Sequence, residues 1–113
     1  MKILVAHHDP QWRGMIYLIL VSQGHEVVMA SSGDEAYGKA FEIGIATIIT
    51  SRFLEGRTES ELAQDVWNAG IEVPFILVDS KLINGDKWFF KSQVEPDPAD
   101  LLVARLLGAI DNL

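Results

Sequence analysis

The stretch Ile45–Gly56, IATIITSRFLEG, decides the fold, because a short apolar run in it stops abruptly at polar residues. The run Ile45–Thr50 is rich in β-branched side chains and is followed at once by Ser51 and Arg52. Such a run is typical of a strand that is buried on both faces, as in the centre of a parallel sheet. Ligands and reacting groups collect at the carboxyl ends of these strands. We therefore expect Ser51 to lie at the tip of the central strand, where chemistry would take place.

Short apolar runs alternate with amphipathic segments along the rest of the chain. This alternation predicts an α/β fold, a doubly wound five-stranded parallel sheet with helices on both faces. The pattern alone leaves the strand order open, and the flavodoxin-like order 2-1-3-4-5 is common at this size. The predicted strands are Ile3–Ala6, His25–Ala30, Ile45–Thr50, Val73–Val78 and Lys87–Lys91.

Capping residues and glycines mark the ends of the predicted helices. Asp9 followed by Pro10 is typical of a helix start, and Gly24 is suited to a left-handed helix end. The segment between the fourth and fifth strands holds at most one turn, so the helix expected there is shortened or missing. Capping boxes are predicted at Ser32 with Glu35 and at Thr58 with Glu61. The predicted helices are Pro10–Gln23, one from Ser32 to Gly44, one from Thr58 to Ala69, and one from Asp97 to about Asn112.

The composition predicts one globular domain over residues 1–113, since 49% of the residues are hydrophobic and 22% are charged. The net charge of −7 argues against a nucleic-acid partner for this domain, because phosphates would be repelled. Because the chain has no cysteine, disulfides and thiolate metal sites are excluded. No apolar stretch reaches the ~18 residues of a membrane span, and we expect a cytoplasmic location.

Five segments stand in a characteristic order: KILVAHHDP, GHEVVMASSGDEAYGKA, IATIITSRFLEG, GIEVPFILVDS and WFFK. The ordered set resembles the response-regulator receiver domain of two-component signalling, which is the CheY-like family, over residues 2–112. The resemblance implies a receiver fold and a phosphorelay in which a histidine kinase donates a phosphoryl group. In that family the acceptor is an aspartate at the tip of the third strand, and Mg²⁺ assists the transfer.

The pocket that the resemblance implies is altered in this chain. Ser51 stands where the phosphoaccepting aspartate is expected, and His7 and His8 stand where an acidic pair would bind the metal. Asp79 stands where the family has a serine or threonine. Lys91 is the one pocket residue that matches the family, although Ser92 follows it where the family has a proline. The degenerate phosphorylation pocket therefore comprises His7, His8, Asp9, Ser51, Asp79 and Lys91.

These replacements predict a pseudo-receiver without phospho-aspartate signalling. A serine hydroxyl is neutral and needs a base to become a nucleophile, and Mg²⁺ prefers oxygen ligands to imidazoles. We expect a domain that is not an enzyme, uses no cofactor or metal, and acts by phosphorylation-independent contact with a protein such as an output domain, kinase or regulator. The surplus of apolar residues on Pro10–Gln23 and Asp97–Asn112 also suggests a homodimer. A candidate interaction surface is formed by Trp88, Phe89 and Phe90.

Other interpretations of the altered pocket remain open at the level of sequence. In the plainest one the pocket is structural and Asp79 pairs with Lys91. A metal-dependent enzyme would gather His7, His8, Asp9 and Asp79, although neighbours along a strand point to opposite faces. A serine-dependent enzyme would use Ser51 as nucleophile, a histidine as base and Asp79 to orient it. A small effector is a further alternative, and the two loop arginines, Arg52 and Arg57, either bind an anion or are simply solvated.

Overall fold

The structure, a computed structural model, describes residues 1–52, 54–78, 92–94 and 110–111, with residues 92–94 described by their backbone alone. Strands and helices alternate along the chain. The strands are β1 Lys2–Ala6, β2 Glu26–Ala30, β3 Ile45–Thr50, β4 Phe75–Val78 and β5 Ser92–Val94. The helices are α1 Pro10–Ser22, α2 Gly33–Lys39 and α3 Glu59–Asn68.

The strands form one parallel sheet with the order β2-β1-β3-β4-β5. The α/β class, the parallel sheet and the order of its first four strands are confirmed. At the outer edge of β4, Ile76 pairs with Ser92 and Val78 with Val94. The predicted fifth strand, Lys87–Lys91, and the shortened helix before it lie outside the described residues and stay predictions.

Both faces of the sheet are covered, which explains why the inner strands are largely apolar. Strand β1 lies between β2 and β3, and its residues Ile3–Ala6 are buried. One face packs on α1 and on residue 110; its buried residues are Ile3, Val5, Ile16, Leu20, Ile49, Ile76, Val78 and Ile110. The other face packs on α2 and α3; its buried residues include Leu4, Ile48, Leu54, Leu62, Val66 and Phe75.

Two predicted elements extend by two or more residues at one end beyond those in the structure. Helix α2 ends at Lys39 and not at Gly44, because the Ala40 N–H bonds to the carbonyls of both Ala36 and Tyr37 and tightens the last turn. Strand β4 begins at Phe75 and not at Val73, because Pro74 has no N–H for the ladder. The Pro74 carbonyl still accepts a hydrogen bond from the Ile48 N–H at 3.1 Å.

The predicted helix caps are present, one of them in a changed form. Asp9 caps α1 by accepting from the Gln11 N–H at 2.8 Å, and Thr58 forms a complete capping box with Glu61. The Ser32 hydroxyl accepts from the Glu35 N–H at 3.1 Å. The Glu35 carboxylate, however, accepts from the Ser31 N–H at 2.8 Å, so it reaches one residue beyond the cap towards the end of β2.

In the part of the chain that the structure describes, no helix has the length and apolar character that crossing a membrane requires.

Candidate functional site

The tips of β1 and β3 form the candidate site because backbone hydrogen bonds continue past the ends of both strands. The Ser51 N–H donates to the Ala6 carbonyl at 2.9 Å, and the His7 N–H donates to the Ala30 carbonyl at 3.2 Å. These bonds hold the first residue after each strand in line with its neighbour. His7 and His8 therefore lie beside Ser51, three of the pocket residues expected from the sequence.

Ser51 is held by His8 in two ways. The Ser51 hydroxyl oxygen accepts a hydrogen bond from the His8 backbone N–H at 3.2 Å and lies 3.1 Å from His8 Nδ1. When Nδ1 is unprotonated, the hydroxyl donates to it, and both functions of the hydroxyl are then used. Only 1% of the Ser51 surface is exposed, whereas His8 is exposed. The serine therefore joins the tip of β3 to the loop between β1 and α1.

His7 is buried and neutral, with 5% of its surface exposed. Its ring stacks on the His8 ring at 5.0 Å between centroids and on the Trp12 ring at 6.2 Å. Its Nδ1 accepts from the Asp9 N–H at 3.0 Å, which requires an unprotonated nitrogen. Burial lowers the pKa of His7 to about 4; the charge of His8, and more weakly Arg13, also lowers it, and Asp9 opposes the shift.

The two histidines lie together although adjacent residues of a strand face opposite ways. Strand β1 ends at Ala6, so the alternation does not extend to His7 and His8. Their stacking therefore corrects the expectation from the sequence that the rings diverge. The other predicted residues of the pocket, Asp79 and Lys91, lie outside the described residues, and their ion pair stays a prediction. The same holds for the candidate interaction surface at residues 88–90.

Arg52 is not the solvated loop residue that one interpretation of the sequence expected. It is buried, and its Nη1 lies 4.0 Å from Glu59 Oε1 at the start of α3. A buried cation needs a compensating partner, and a carboxylate in the first helical turn is well placed for this. The side chain thus connects the residue after Ser51 with α3.

Arg57 joins the loop after β3 to α2 and α3. Its Nη1 donates to Asp34 at 2.7 Å, its Nε donates to Asp65 at 2.9 Å, and its guanidinium lies 4.0 Å from the centre of the Tyr37 ring. The Gly33 N–H also donates to a carbonyl of this loop, that of Glu55, at 2.8 Å. Hydrogen bonding to Asp65 raises the pKa of Arg57. The predicted solvated or anion-binding arginine is therefore a bridge between elements.

This geometry does not support a serine nucleophile. The contact between Ser51 and a histidine nitrogen has the length that a base requires. The hydroxyl oxygen, however, is closed off from solvent and already accepts a backbone hydrogen bond. The Ser51 N–H donates to the Ala6 carbonyl, so it is not available to stabilise a negative charge that would develop on a reacting atom.

The comparisons with known proteins bear on the fold. No protein-family model matches the chain, and no curated protein matches it significantly. Among solved structures, the response regulator domain of Thermotoga maritima CheB has a TM-score of 0.85 at 20% identity, over 99% of this chain and 94% of that one. The chain has the receiver fold. The response regulator CheY4 of Vibrio cholerae has a TM-score of 0.83 at 21% identity, over 96% of this chain and 97% of that one.

A third structure with the receiver fold is that of the response regulator TrrA of Thermotoga maritima in complex with Mg²⁺ and BeF. It has a TM-score of 0.80 at 22% identity, and the match covers 96% of this chain and 97% of that one. The described side chains of this chain do not fit such a metal. His7 and His8 present imidazoles, whose Nδ1 atoms already contact Asp9 and Ser51, where Mg²⁺ prefers oxygen. Among the residues described, no group of three or more His, Cys, Asp and Glu could hold a metal ion.

Proposed function

We propose that the chain is a receiver-like signalling domain of two-component type that acts by contact with a protein and without phosphorylation at the tip of β3. The observation that carries the proposal is the hydrogen-bonded burial of Ser51 against His8. A receiver fold with this arrangement keeps its outer surfaces available to a partner. It offers no carboxylate at the tip of β3 to accept a phosphoryl group, because Ser51 stands there.

The resemblance implies that phosphorylation would work by adding a charged group at the tip of β3. In this chain, side chains at that tip already connect it to neighbouring elements. Ser51 bonds to the loop after β1, and Arg52 reaches α3. Arg57 ties the same loop to α2. These contacts support a domain held in one arrangement, to which a kinase, regulator or output domain binds through the surface.

The first test is phosphorylation by a small donor. Incubation with acetyl phosphate and Mg²⁺, followed by intact-mass measurement at neutral pH, is expected to give no phosphoryl adduct, since Ser51 replaces the acceptor carboxylate and His7 and His8 replace the acidic pair that would bind the metal. A receiver domain with an intact acidic pocket, treated in parallel, serves as the positive control. A stable adduct that is lost in Ser51→Ala would contradict the proposal and establish the serine as an acceptor.

The second test concerns a homodimer, which we propose to form through α1. Helix α1 exposes Leu18 at 68% and Val21 at 43%, and Gly14 on the same stripe has open space beside it. The only ionisable side chains of α1 are Arg13 and Tyr17, and neither is acidic. Although the chain has a net charge of −7, two copies that meet through α1 would therefore experience little like-charge repulsion. Light scattering is expected to give a dimer for the natural chain at high concentration and a monomer for Leu18→Lys. A monomer for both would disprove the dimer.

A further inference from the structure

Strand β2 is the terminal strand of the sheet, and no described strand pairs with its outer edge. The Glu26 N–H donates to the Met1 carbonyl, and the Ala30 carbonyl accepts from the His7 N–H, so both residues direct their backbone groups towards β1. Because successive residues of a strand alternate sides, Val27 and Met29 direct their backbone N–H and C=O groups to the outer edge. Such a row of groups is a template on which another chain can pair.

Two side chains of α2 contact the backbone of this edge at the carboxyl end of β2. Lys39 Nζ donates to the Met29 carbonyl at 2.6 Å, and the Glu35 carboxylate accepts from the Ser31 N–H at 2.8 Å. The two side chains lie 4.0 Å apart, one helical turn from each other. The lysine thus takes the place of the N–H that a neighbouring strand would supply, and the glutamate takes the place of its carbonyl.

We propose that the pair Glu35 and Lys39, which we call the edge clamp, prevents a second copy of this chain from adding its own β2 to the sheet. With the clamp in place, a pairing strand can reach only the outward groups of Val27 and the N–H of Met29. Release of Lys39 adds the Met29 carbonyl and gives two consecutive outward residues with all four groups free. Lysines at a sheet edge, and helices that cover one, are common means of blocking such pairing, and here a helix supplies the lysine.

The diagnostic variant is Lys39→Met, which keeps an apolar stem of similar length. It changes the net charge from −7 to −8, since one positive charge is removed, so repulsion between copies increases. Electrostatics alone therefore predicts weaker association. The edge clamp predicts the opposite, with an association constant raised about tenfold, because a symmetric contact gains one hydrogen bond on each copy. Sedimentation velocity over a concentration series measures it.

Two further variants locate the effect. Lys39→Arg keeps a cationic donor and is expected to behave as the natural chain. Met29→Pro, added to Lys39→Met, removes the outward N–H of Met29, and proline is tolerated at an edge strand when that N–H faces solvent. We expect the double variant to lose the added association while its circular dichroism shows that the fold is kept.

Hydrogen exchange supplies a readout at the strand itself. In the natural chain the Val27 and Met29 amides should exchange fast, and in associated Lys39→Met they should become protected. Unchanged sedimentation of Lys39→Met would overturn the proposal. Association that persists in the double variant would overturn it too, because the contact would then run through another surface. None of these outcomes depends on phosphorylation or on the α1 dimer, since each variant is compared with the natural chain.

Discussion

Lowering the pH from 7 to 5 is expected to remove about 2 kcal/mol from the free energy of unfolding through His7 alone. In the folded chain the pKa of His7 is lowered to about 4 from its usual 6.5, chiefly by burial. The neutral ring also accepts the Asp9 N–H, a bond that protonation would abolish. The unfolded chain therefore binds a proton first as the pH falls.

The sign of this effect follows from proton binding in the two states. Above about pH 7 both the folded and the unfolded chain hold His7 neutral, so the stability is fully present. Between the pKa of the unfolded chain, 6.5, and that of the folded chain, about 4, only the unfolded chain is protonated, and stability is lost progressively. Below about pH 4 the loss from this residue levels off at roughly 3 kcal/mol.

Urea unfolding followed by tryptophan fluorescence at pH 7, 6 and 5 measures the effect in the natural chain and in His7→Asn. Asparagine can still accept from the Asp9 N–H but does not titrate. Between pH 7 and 5 the unfolding free energy of His7→Asn should therefore fall by about 2 kcal/mol less than that of the natural chain. His25→Asn is the matched control, because His25 lies on the opposite end of the sheet beside Met1. Equal pH dependence in the natural chain and His7→Asn would contradict the expected role of His7.

Replacing Gly33 by alanine is expected to destabilise the fold by about 2–3 kcal/mol. A methyl group at Gly33 would overlap the backbone carbonyl of Arg57, which a change of side-chain rotamer cannot relieve. The loop after β3 would have to move away from α2, and the hydrogen bond from the Gly33 N–H to the Glu55 carbonyl would be strained. The bridge made by Arg57 to Asp34 would be displaced with it.

Gly38→Ala is the matched control in the same helix. Gly38 is exposed and has open space where a methyl group would lie, so alanine should stabilise α2 by about 0.5–1 kcal/mol through helix propensity. The two substitutions add the same atoms to one helix and are expected to change the melting temperature in opposite directions. If Gly33→Ala also raised the melting temperature, close packing of the loop on α2 could not be the constraint at that glycine.

Local signals in the sequence predicted the elements that local chemistry determines. The apolar run at Ile45–Thr50 became β3, and the pairing of Thr58 with Glu61 became a complete capping box. The end of α2 was wrong because no signal in the sequence shows that the turn tightens at Ala40. The side-chain bridge of Arg57 was missed because Asp34 is 23 residues away in the chain.

The candidate site was predictable as a set of positions but not as a set of contacts. The resemblance to the receiver family implied that Ser51 lies near the histidines that follow β1, and parallel strands do place their carboxyl ends together. That the rings of His7 and His8 would stack could not be predicted, because it depends on where β1 ends. That the Ser51 hydroxyl would be enclosed also depends on its second contact, with the His8 backbone.

The hydrogen-bonded burial of Ser51 against His8 has a consequence for how such a domain could transmit a signal. A ligand shifts a conformational equilibrium only when it binds one of two states better than the other. If the junction between β3 and the loop after β1 is fixed by hydrogen bonds within the chain, a single state is present and the affinity for a partner is constant. The fraction of the domain in complex would then follow the abundance of the two proteins, so synthesis and turnover would set the response.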